Sequence, residues 1–242
     1  YVNGIDQAAQ NLLIQVKQYS SPLYFADANT PRYDVQIACG IDWELGVAIL
    51  KDVPIPDFAE PANDVDGVVP VIGCGENSDK DNNMVVIDPS TRCEYDFWQM
   101  RKEDDHWVAS WANAISIDSI GVFEKGMSTR GSGFTFMAGV ILPQELDQGN
   151  IRHALLFALP DKLVRGDGPV SPATDSDGES TEPNALPEGA RLRLDPSLDL
   201  DSLHLNRTEW IIAKAMQEYG MFLTDSGGEE GVSLYAVDPI SF

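Results

Sequence analysis

The chain has few basic side chains and no long apolar run. Its 242 residues include 16 Lys and Arg against 39 Asp and Glu, which gives a formal net charge of −23 and a pI near 4.2. A surface with so few cations cannot displace the counterions of a polyanion, so nucleic acid is not an expected partner. No run of about 18 apolar residues is present, so no membrane span is expected either.

Cysteine and histidine are also scarce, with three of each. No CxxC pair or Cys/His cluster indicates a zinc site. The phosphate-binding loop, the dinucleotide fingerprint and the G-x-S-x-G nucleophile elbow are absent as well. For the three cysteines we predict a bridge between Cys74 and Cys93 across an acidic loop, with three buried reduced thiols as the alternative.

The apolar content, at 43% of the residues, is normal for a globular protein with a sizeable core. A chain of this length suits one large all-β domain, so we predict a single domain over 1–242. Two long segments rich in proline and acids, 52–82 and 160–189, interrupt it. They are either loops that build a binding site or surface excursions.

Short β-type runs recur between turn signals, and helical spacing occurs only near the two ends. One amphipathic helix is expected over 5–19, and a second begins at Asn206 or Thr208 and ends at Gly220. The hairpin-like spacing of the strands predicts an antiparallel β-sandwich of the jelly-roll type with two flanking helices. The predicted strands cover 22–26, 33–38, 84–88, 93–100, 106–112, 133–141, 151–159, 190–195, 221–225 and 232–238.

The densest candidate site lies in the strand run Glu94-Tyr95-Asp96-Phe97-Trp98-Gln99. Because side chains alternate along a strand, Glu94, Asp96 and Trp98 share one face, and the other two aromatics face the core. Adjacent carboxylates can have their pKa values pushed apart into acid and nucleophile roles, and an indole can stack on a sugar ring. The alternative is a solvated strand face. Trp43, in a polar loop, is a second candidate for ligand contact.

The pattern Glu94-x-Asp96 resembles the E-x-D-x-x-E strand of laminarinase-type retaining glycosidases, which are concanavalin-like jelly rolls. The resemblance implies that Glu94 is the nucleophile and Asp96 a helper. The acid/base position is Gln99 here, which cannot donate the required proton. A wider pattern, which includes VVIDPSTRCEYDFWQ and PEGARLRLDPSLDLD, resembles secreted bacterial hypothetical proteins and brings no activity with it.

His153 is the one histidine predicted in mid-strand, and it is either a core histidine or a general base or acid in a cleft. With a tyrosine, and with Arg130 or Gln99 to neutralise a uronate carboxylate, it would suit β-elimination. A polysaccharide lyase is therefore the rival of a hydrolase.

Two acidic loops resemble fragments of calcium-binding loops, although neither has the glycine and the terminal glutamate of an EF-hand. No cofactor is required, and a structural calcium ion is a possible addition. The candidate ligands are Asp79, Asp81, Asp175 and Asp177.

These features predict a secreted enzyme that cleaves glycosidic bonds of a polysaccharide, as a hydrolase with paired carboxylates. The alternatives are a lyase acting on a uronate-containing glycan and a carbohydrate-binding module without catalysis. The acidic surface disfavours a polyanionic substrate unless the cleft is locally basic.

Overall fold

A computed structural model describes residues 12–17, 19–43, 45–63, 80–227 and 231–242. The described residues fall into two compact units. Unit 1 contains residues up to Ile14 and Ala138–Ala236, and unit 2 contains Gln15–Met137 and Val237–Phe242. Each unit has its own hydrophobic core. The single domain expected over 1–242 stays a prediction.

The fold is mainly β, as expected. The strands are β1 (Leu13–Gln15), β2 (Leu23–Phe25), β3 (Arg32–Ile37), β4 (Ile49–Pro54), β5 (Met84–Asp88), β6 (Cys93–Trp98), β7 (Arg101–Glu103), β8 (His106–Ala109), β9 (Trp111–Ser116), β10 (Leu155–Leu159), β11 (Arg191–Leu192), β12 (Met221–Ser226) and β13 (Ser233–Tyr235).

The helices of the described residues are α1 (Pro143–Gln148) and α2 (Arg207–Glu218), with 3-10 turns at Asp161–Leu163, Leu200–Leu203 and Pro239–Ser241. Helix α2 confirms the late helix. The Asn206 side chain accepts from the N–H of Glu209, and the Glu209 side chain accepts from the N–H of Asn206, which completes a capping box. The early helix is wrong where it can be checked, because Leu13–Gln15 is a strand. Residues 5–11 and 18 of that prediction lie outside the described residues.

The jelly-roll prediction is wrong. The strands form three small sheets, with orders β1-β13-β10-β12-β11, β2-β5-β6-β9 and β4-β3-β8-β7. Among the described strands, β10 pairs with β12, β2 with β5 and β3 with β8 in parallel. Hydrophobic alternation shows that a run is a strand but does not show its partner, so hairpin spacing overstated the antiparallel content.

The run 133–141 is not a strand, because two amides at its centre bond to side chains instead of a neighbouring strand. The N–H groups of Phe136 and Met137 donate to Asp96 and Glu94. Only isolated bridges, Val122 with Phe134 and Ile141 with Ala236, remain along the run. The apolar composition of this run therefore predicted its burial correctly, but the prediction that it forms a paired strand is wrong.

The run 106–112 divides at Ser110 between two sheets of unit 2. Strand β8 pairs with β3 and β7, whereas β9 pairs with β6. Asp104 and Asp105 form the turn between β7 and β8. The core of this unit includes Val35, Phe97 and Met100, each fully buried.

In unit 1, strand β10 is buried along its whole length, and α2 contributes Ile211, Ile212 and Ala215 to the same core. The segment 160–189 is part of this unit and is closely packed within it. At Gly189, with φ +84°, a Cβ atom would lie 1.8 Å from the Val170 carbonyl oxygen, so only glycine fits there. Of the other long segment, 52–54 belong to β4 and 64–79 lie outside the described residues.

None of the helices in the described ranges is long and apolar enough to cross a membrane.

Candidate functional site

Strand β6 presents two faces, as its alternation predicts. Tyr95 and Phe97 belong to the core of unit 2. Glu94, Asp96 and Trp98 lie on the opposite face, where cross-strand register sets Ile115, Asn113 and Trp111 of β9 beside them. The predicted grouping of two carboxyl groups and an indole on one face is therefore present.

The two carboxyl groups are buried instead of lining an open cleft. Glu94 is 6% exposed and Asp96 has no exposed surface. The Phe136 N–H donates to Asp96 Oδ2 and the Met137 N–H donates to Glu94 Oε1, each at 3.0 Å. The segment that supplies these amides covers the carboxyl groups, so a glycan has no direct approach to them here.

Burial raises the pKa of both groups, and most strongly that of Asp96. The charge on Glu94 adds to the rise in the pKa of Asp96, and the two side chains hydrogen-bond each other. The positive charge of Arg130 lowers the pKa of both groups. These effects favour the protonated form of Asp96, which can donate a hydrogen bond to the Glu94 carboxylate.

Arg130 was predicted to contact substrate, and the structure places it inside the protein with 4% exposure. Its guanidinium lies 5.1 Å from the centre of the Phe136 ring, a cation–π arrangement. The Ser128 hydroxyl accepts from the Arg130 N–H at 3.0 Å and donates to the Phe134 carbonyl at 2.9 Å. Arg130 thus lowers the pKa of both carboxyl groups and packs against the segment 128–137.

An aromatic cluster stands at the end of the same β6 face, and we define it as Trp43, Trp98 and Trp111. The Trp43 ring centre lies 5.9 Å from that of Trp98 and 5.7 Å from that of Trp111. Trp43 keeps 40% of its surface in solvent, while Trp111 is buried. Asp81 Oδ1 accepts from Trp98 Nε1 at 3.0 Å and fixes that ring. Both tryptophans predicted for ligand contact therefore meet, although they are 55 positions apart in the sequence.

Ser110 connects the backbone segments that carry the aromatic cluster. Its carbonyl accepts from the Cys39 N–H at 3.0 Å, and its own N–H donates to the Trp98 carbonyl at 3.2 Å. Its hydroxyl donates to Gln99 Oε1 at 2.6 Å, and Gln99 Nε2 donates to the Lys80 carbonyl. Gln99, predicted to bind substrate, is fully buried, so the structure places it beneath the cluster as a support.

The cysteine prediction is wrong in both forms. Cys93 is a free thiol, whereas Cys39 is disulfide-bonded. Cys74 lies outside the described residues. Sequence spacing favoured the two cysteines that flank an acidic loop, but Cys93 begins strand β6 and its thiol points to the Thr91 carbonyl.

His153 belongs to unit 1, and it precedes β10 instead of lying within it. Its Nε2 lies 3.0 Å from Glu145 Oε1 of helix α1, and its Nδ1 lies 2.9 Å from the Ala154 carbonyl. Glu145 also accepts from the Leu142 N–H, which caps α1. Both ring nitrogens of His153 are engaged, which suits a residue that fastens α1 to the start of β10.

The predicted calcium ligands do not converge in the described parts of the chain, where no group of three or more His, Cys, Asp or Glu side chains is placed to hold a metal ion. Asp81 accepts from Trp98, and Asp175 accepts from the Ser176 N–H. Asp79 lies outside the described residues, so calcium in its loop stays a prediction.

A second group of acids in unit 1 was largely missed from the sequence. Glu188 is fully buried and accepts from the Asp177 N–H at 3.1 Å, and the Tyr235 hydroxyl donates to Asp225 at 3.3 Å. Burial and the Asp225 carboxylate raise the pKa of Glu188 to about 7. The pKa of Asp177 also rises to about 7 through partial burial and the Glu188 charge, although Asp177 retains exposed surface. The sequence singled out one member of this group, Asp177, as a candidate calcium ligand, and it gave no signal for Glu188 or Asp225.

Comparison with protein-family models, with curated proteins and with solved structures gives no match to this chain. The resemblance to laminarinase-type glycosidases therefore stays a prediction.

Proposed function

We propose that the protein is a secreted carbohydrate-binding protein and that unit 2 binds glycan on the aromatic cluster. The observation that carries the proposal is Trp43, a solvent-exposed indole that packs on both Trp98 and Trp111. A sugar ring presents apolar C–H groups that stack on such a ring, while its hydroxyl groups stay in water. Because two neighbouring indoles and Asp81 support the cluster, little side-chain entropy is lost on binding.

The charge of the protein favours a neutral glycan over one that contains uronates. The formal net charge is −23, and Asp42 directly precedes Trp43 in the sequence. Like charges repel an anionic chain as it approaches, and this effect weakens with salt. The disulfide of Cys39 supports the proposed secretion, because such bonds persist in oxidising compartments.

The test is affinity electrophoresis and calorimetry against laminarin, xylan, chitin hexasaccharide and polygalacturonate. Wild-type protein is expected to bind a neutral probe, and Trp43→Ala is expected to weaken that binding at least about tenfold, which is about 1.4 kcal/mol. Phe58→Ala is the matched control, because it removes an exposed aromatic ring outside the aromatic cluster. If no neutral probe binds, or if Trp43→Ala binds like the wild type, the proposal is wrong.

Glycoside hydrolysis by Glu94 is the second candidate, and the observation that favours it is the hydrogen bond from Asp96 to Glu94. An acid that shares its proton with a neighbouring carboxylate fits the helper role that the laminarinase resemblance implies. Two features count against hydrolysis. Glu94 and Asp96 are buried under the segment 128–137, so a glycan has no direct approach to them. Gln99 also offers no acid and is fully buried.

Reducing-end release from the same probes separates the two candidates. Product from wild-type protein that disappears in Glu94→Gln would establish hydrolysis. Binding without product establishes the binding function alone, and absorbance from an unsaturated uronate would indicate a lyase instead.

A further inference from the structure

We propose that the disulfide of Cys39 positions Trp43 in the aromatic cluster, so that reduction by a dithiol separates Trp43 from Trp98 and Trp111 and weakens glycan binding. The binding part of this inference rests on the proposed function. The positioning part does not, because it concerns the packing of three indoles in the free protein.

Cys39 is the base of the turn that carries Trp43. Its carbonyl accepts from the Trp43 N–H at 2.9 Å, and its N–H donates to Ser110, the residue before Trp111, at 3.0 Å. Cys39 is fully buried and disulfide-bonded. The hydrogen bond between the Trp43 N–H and the Cys39 carbonyl therefore couples the position of Trp43 to that of Cys39.

Beyond this base, the turn is also held by Leu45, which packs against the core of unit 2. Ile41 and Val47, on either side of Trp43 along the turn, are exposed. The Gly46 N–H donates to the Gly40 carbonyl at 3.0 Å and closes the turn. A Cβ atom on Gly40 would lie 2.0 Å from the Val47 carbonyl oxygen, so the backbone is closely fitted at its base and not at its tip. The position of Trp43 thus depends on Cys39 and Gly40, together with its two ring contacts and the packing of Leu45.

The redox step is an ordinary thiol–disulfide exchange with a dithiol such as dithiothreitol. The reagent supplies two electrons and two protons, the S–S bond of Cys39 breaks into two thiols, and the dithiol closes to its own cyclic disulfide. The reduced Cys39 side chain keeps its place in the sequence but loses its covalent tether, so the turn becomes free to move away from Trp98 and Trp111.

The closing experiment reads the tryptophans directly. Indoles whose centres lie within 6 Å couple their electronic transitions, and circular dichroism shows the coupling as a paired band. The difference between wild type and Trp43→Phe defines the part of that band that Trp43 produces. Reduction of the folded wild-type protein, and separately Cys39→Ser, is expected to remove most of this part, while Cys93→Ser changes nothing because Cys93 is already free.

A variant that keeps its disulfide tests the same packing in a protein that does not have to fold without the bridge. Gly40→Ala is expected to weaken the paired band as reduction does, because its new methyl group displaces the turn from the Val47 carbonyl. The inference is overturned if the full band survives complete reduction, with free thiols counted by a thiol reagent and the far-ultraviolet spectrum unchanged.

Binding of laminarin and chitin hexasaccharide by the oxidised and the reduced protein completes the test. Reduction is expected to weaken binding at least about tenfold, the same loss as Trp43→Ala. If the oxidised protein binds neither probe, the proposed function fails, and the paired band still decides the positioning role of Cys39. If the oxidised and the reduced proteins bind equally, the redox dependence of binding is overturned.

Discussion

Burial beside a second carboxyl group raises the pKa of Asp96 well above its usual range and favours its protonated form, in a protein that has 39 acidic residues. In that form it behaves as a neutral hydrogen-bonding group: it donates to Glu94 and accepts from the Phe136 N–H. A neutral amide of the same shape can make the same two contacts. The acidity of Asp96 is thus dispensable for the fold, whereas its hydrogen-bonding atoms are not.

We therefore expect Asp96→Asn and Asp96→Ala to differ in stability. Asp96→Asn should change the free energy of unfolding by less than about 1 kcal/mol, because each contact is retained. Asp96→Ala should cost about 3 kcal/mol, because the Phe136 N–H and Glu94 lose a buried partner. Urea denaturation of the two variants measures the difference. Equal losses would show that the charge of Asp96, and not its hydrogen bonds, holds the segment 128–137.

At the scale of single residues, strand alternation correctly set Glu94, Asp96 and Trp98 on one face. Alternation could not show that these side chains are buried, because the covering segment 128–137 is remote in sequence and overlaps the predicted strand 133–141. The neighbourhood of Trp43 and Trp98 also depends on long-range packing through Ser110, and no local pattern records it. Alternation shows which side chains share a face of a strand, but it does not show whether another segment covers that face.

Among the structural elements, the segment 160–189 contacts the strands of unit 1 through its carboxyl groups. Asp177 and Glu188 belong to this segment, Asp225 to β12 and Tyr235 to β13. Ionisation of a fully buried carboxyl group beside other acids is unfavourable, so the attachment should weaken as Glu188 loses its proton.

The sign of the pH dependence follows from the raised pKa of Glu188, which moves from 4.5 to about 7 on folding. The folded protein binds this proton more tightly than the unfolded chain, so the stabilisation is full below about pH 4.5 and is lost as the pH rises to about 7. The loss is on the order of 3 kcal/mol at most. Thermal unfolding between pH 4.5 and pH 8 should show this decline in the wild type and a shallower one in Glu188→Gln. Parallel profiles for the two proteins would refute it.

Element types were easier to predict than their partners. Asn206 and Glu209 form a capping box that depends on four consecutive residues, so helix α2 could be recognised locally. The parallel pairs β3 with β8 and β2 with β5 join strands separated by long connections. Hydrophobic periodicity does not show which distant strands pair, and the sandwich prediction is wrong for that reason.

For the whole molecule, the excess of acidic groups should make stability depend on salt. With a formal net charge of −23, compaction brings like charges together and costs free energy that counterions reduce. Between 0.01 and 0.1 M salt the screening length falls from about 30 to about 10 Å. We expect the Tm to rise by a few degrees over this range and then to level off, since about 1 kcal/mol corresponds to 2–4 °C in a chain of this size.

Sodium chloride and tetramethylammonium chloride separate screening from specific ion effects, because equal ionic strengths should give equal shifts in Tm. A Tm that does not change below 0.1 M would mean that the acids of the native surface are already compensated locally. The composition predicted this property without any knowledge of the fold, because net charge does not depend on which strands pair.

The close backbone approaches at Gly40 and Gly189 have a consequence for ancestry. At each position a neighbouring carbonyl oxygen occupies the space that any other residue would need, so drift cannot replace these glycines while the fold persists. Each glycine also follows a residue with a defined task, Cys39 beneath the aromatic cluster and Glu188 in the buried acid group. Distant descendants of the same ancestor should therefore keep the dipeptides Cys-Gly and Glu-Gly in this order, even where the surrounding sequence has diverged beyond recognition.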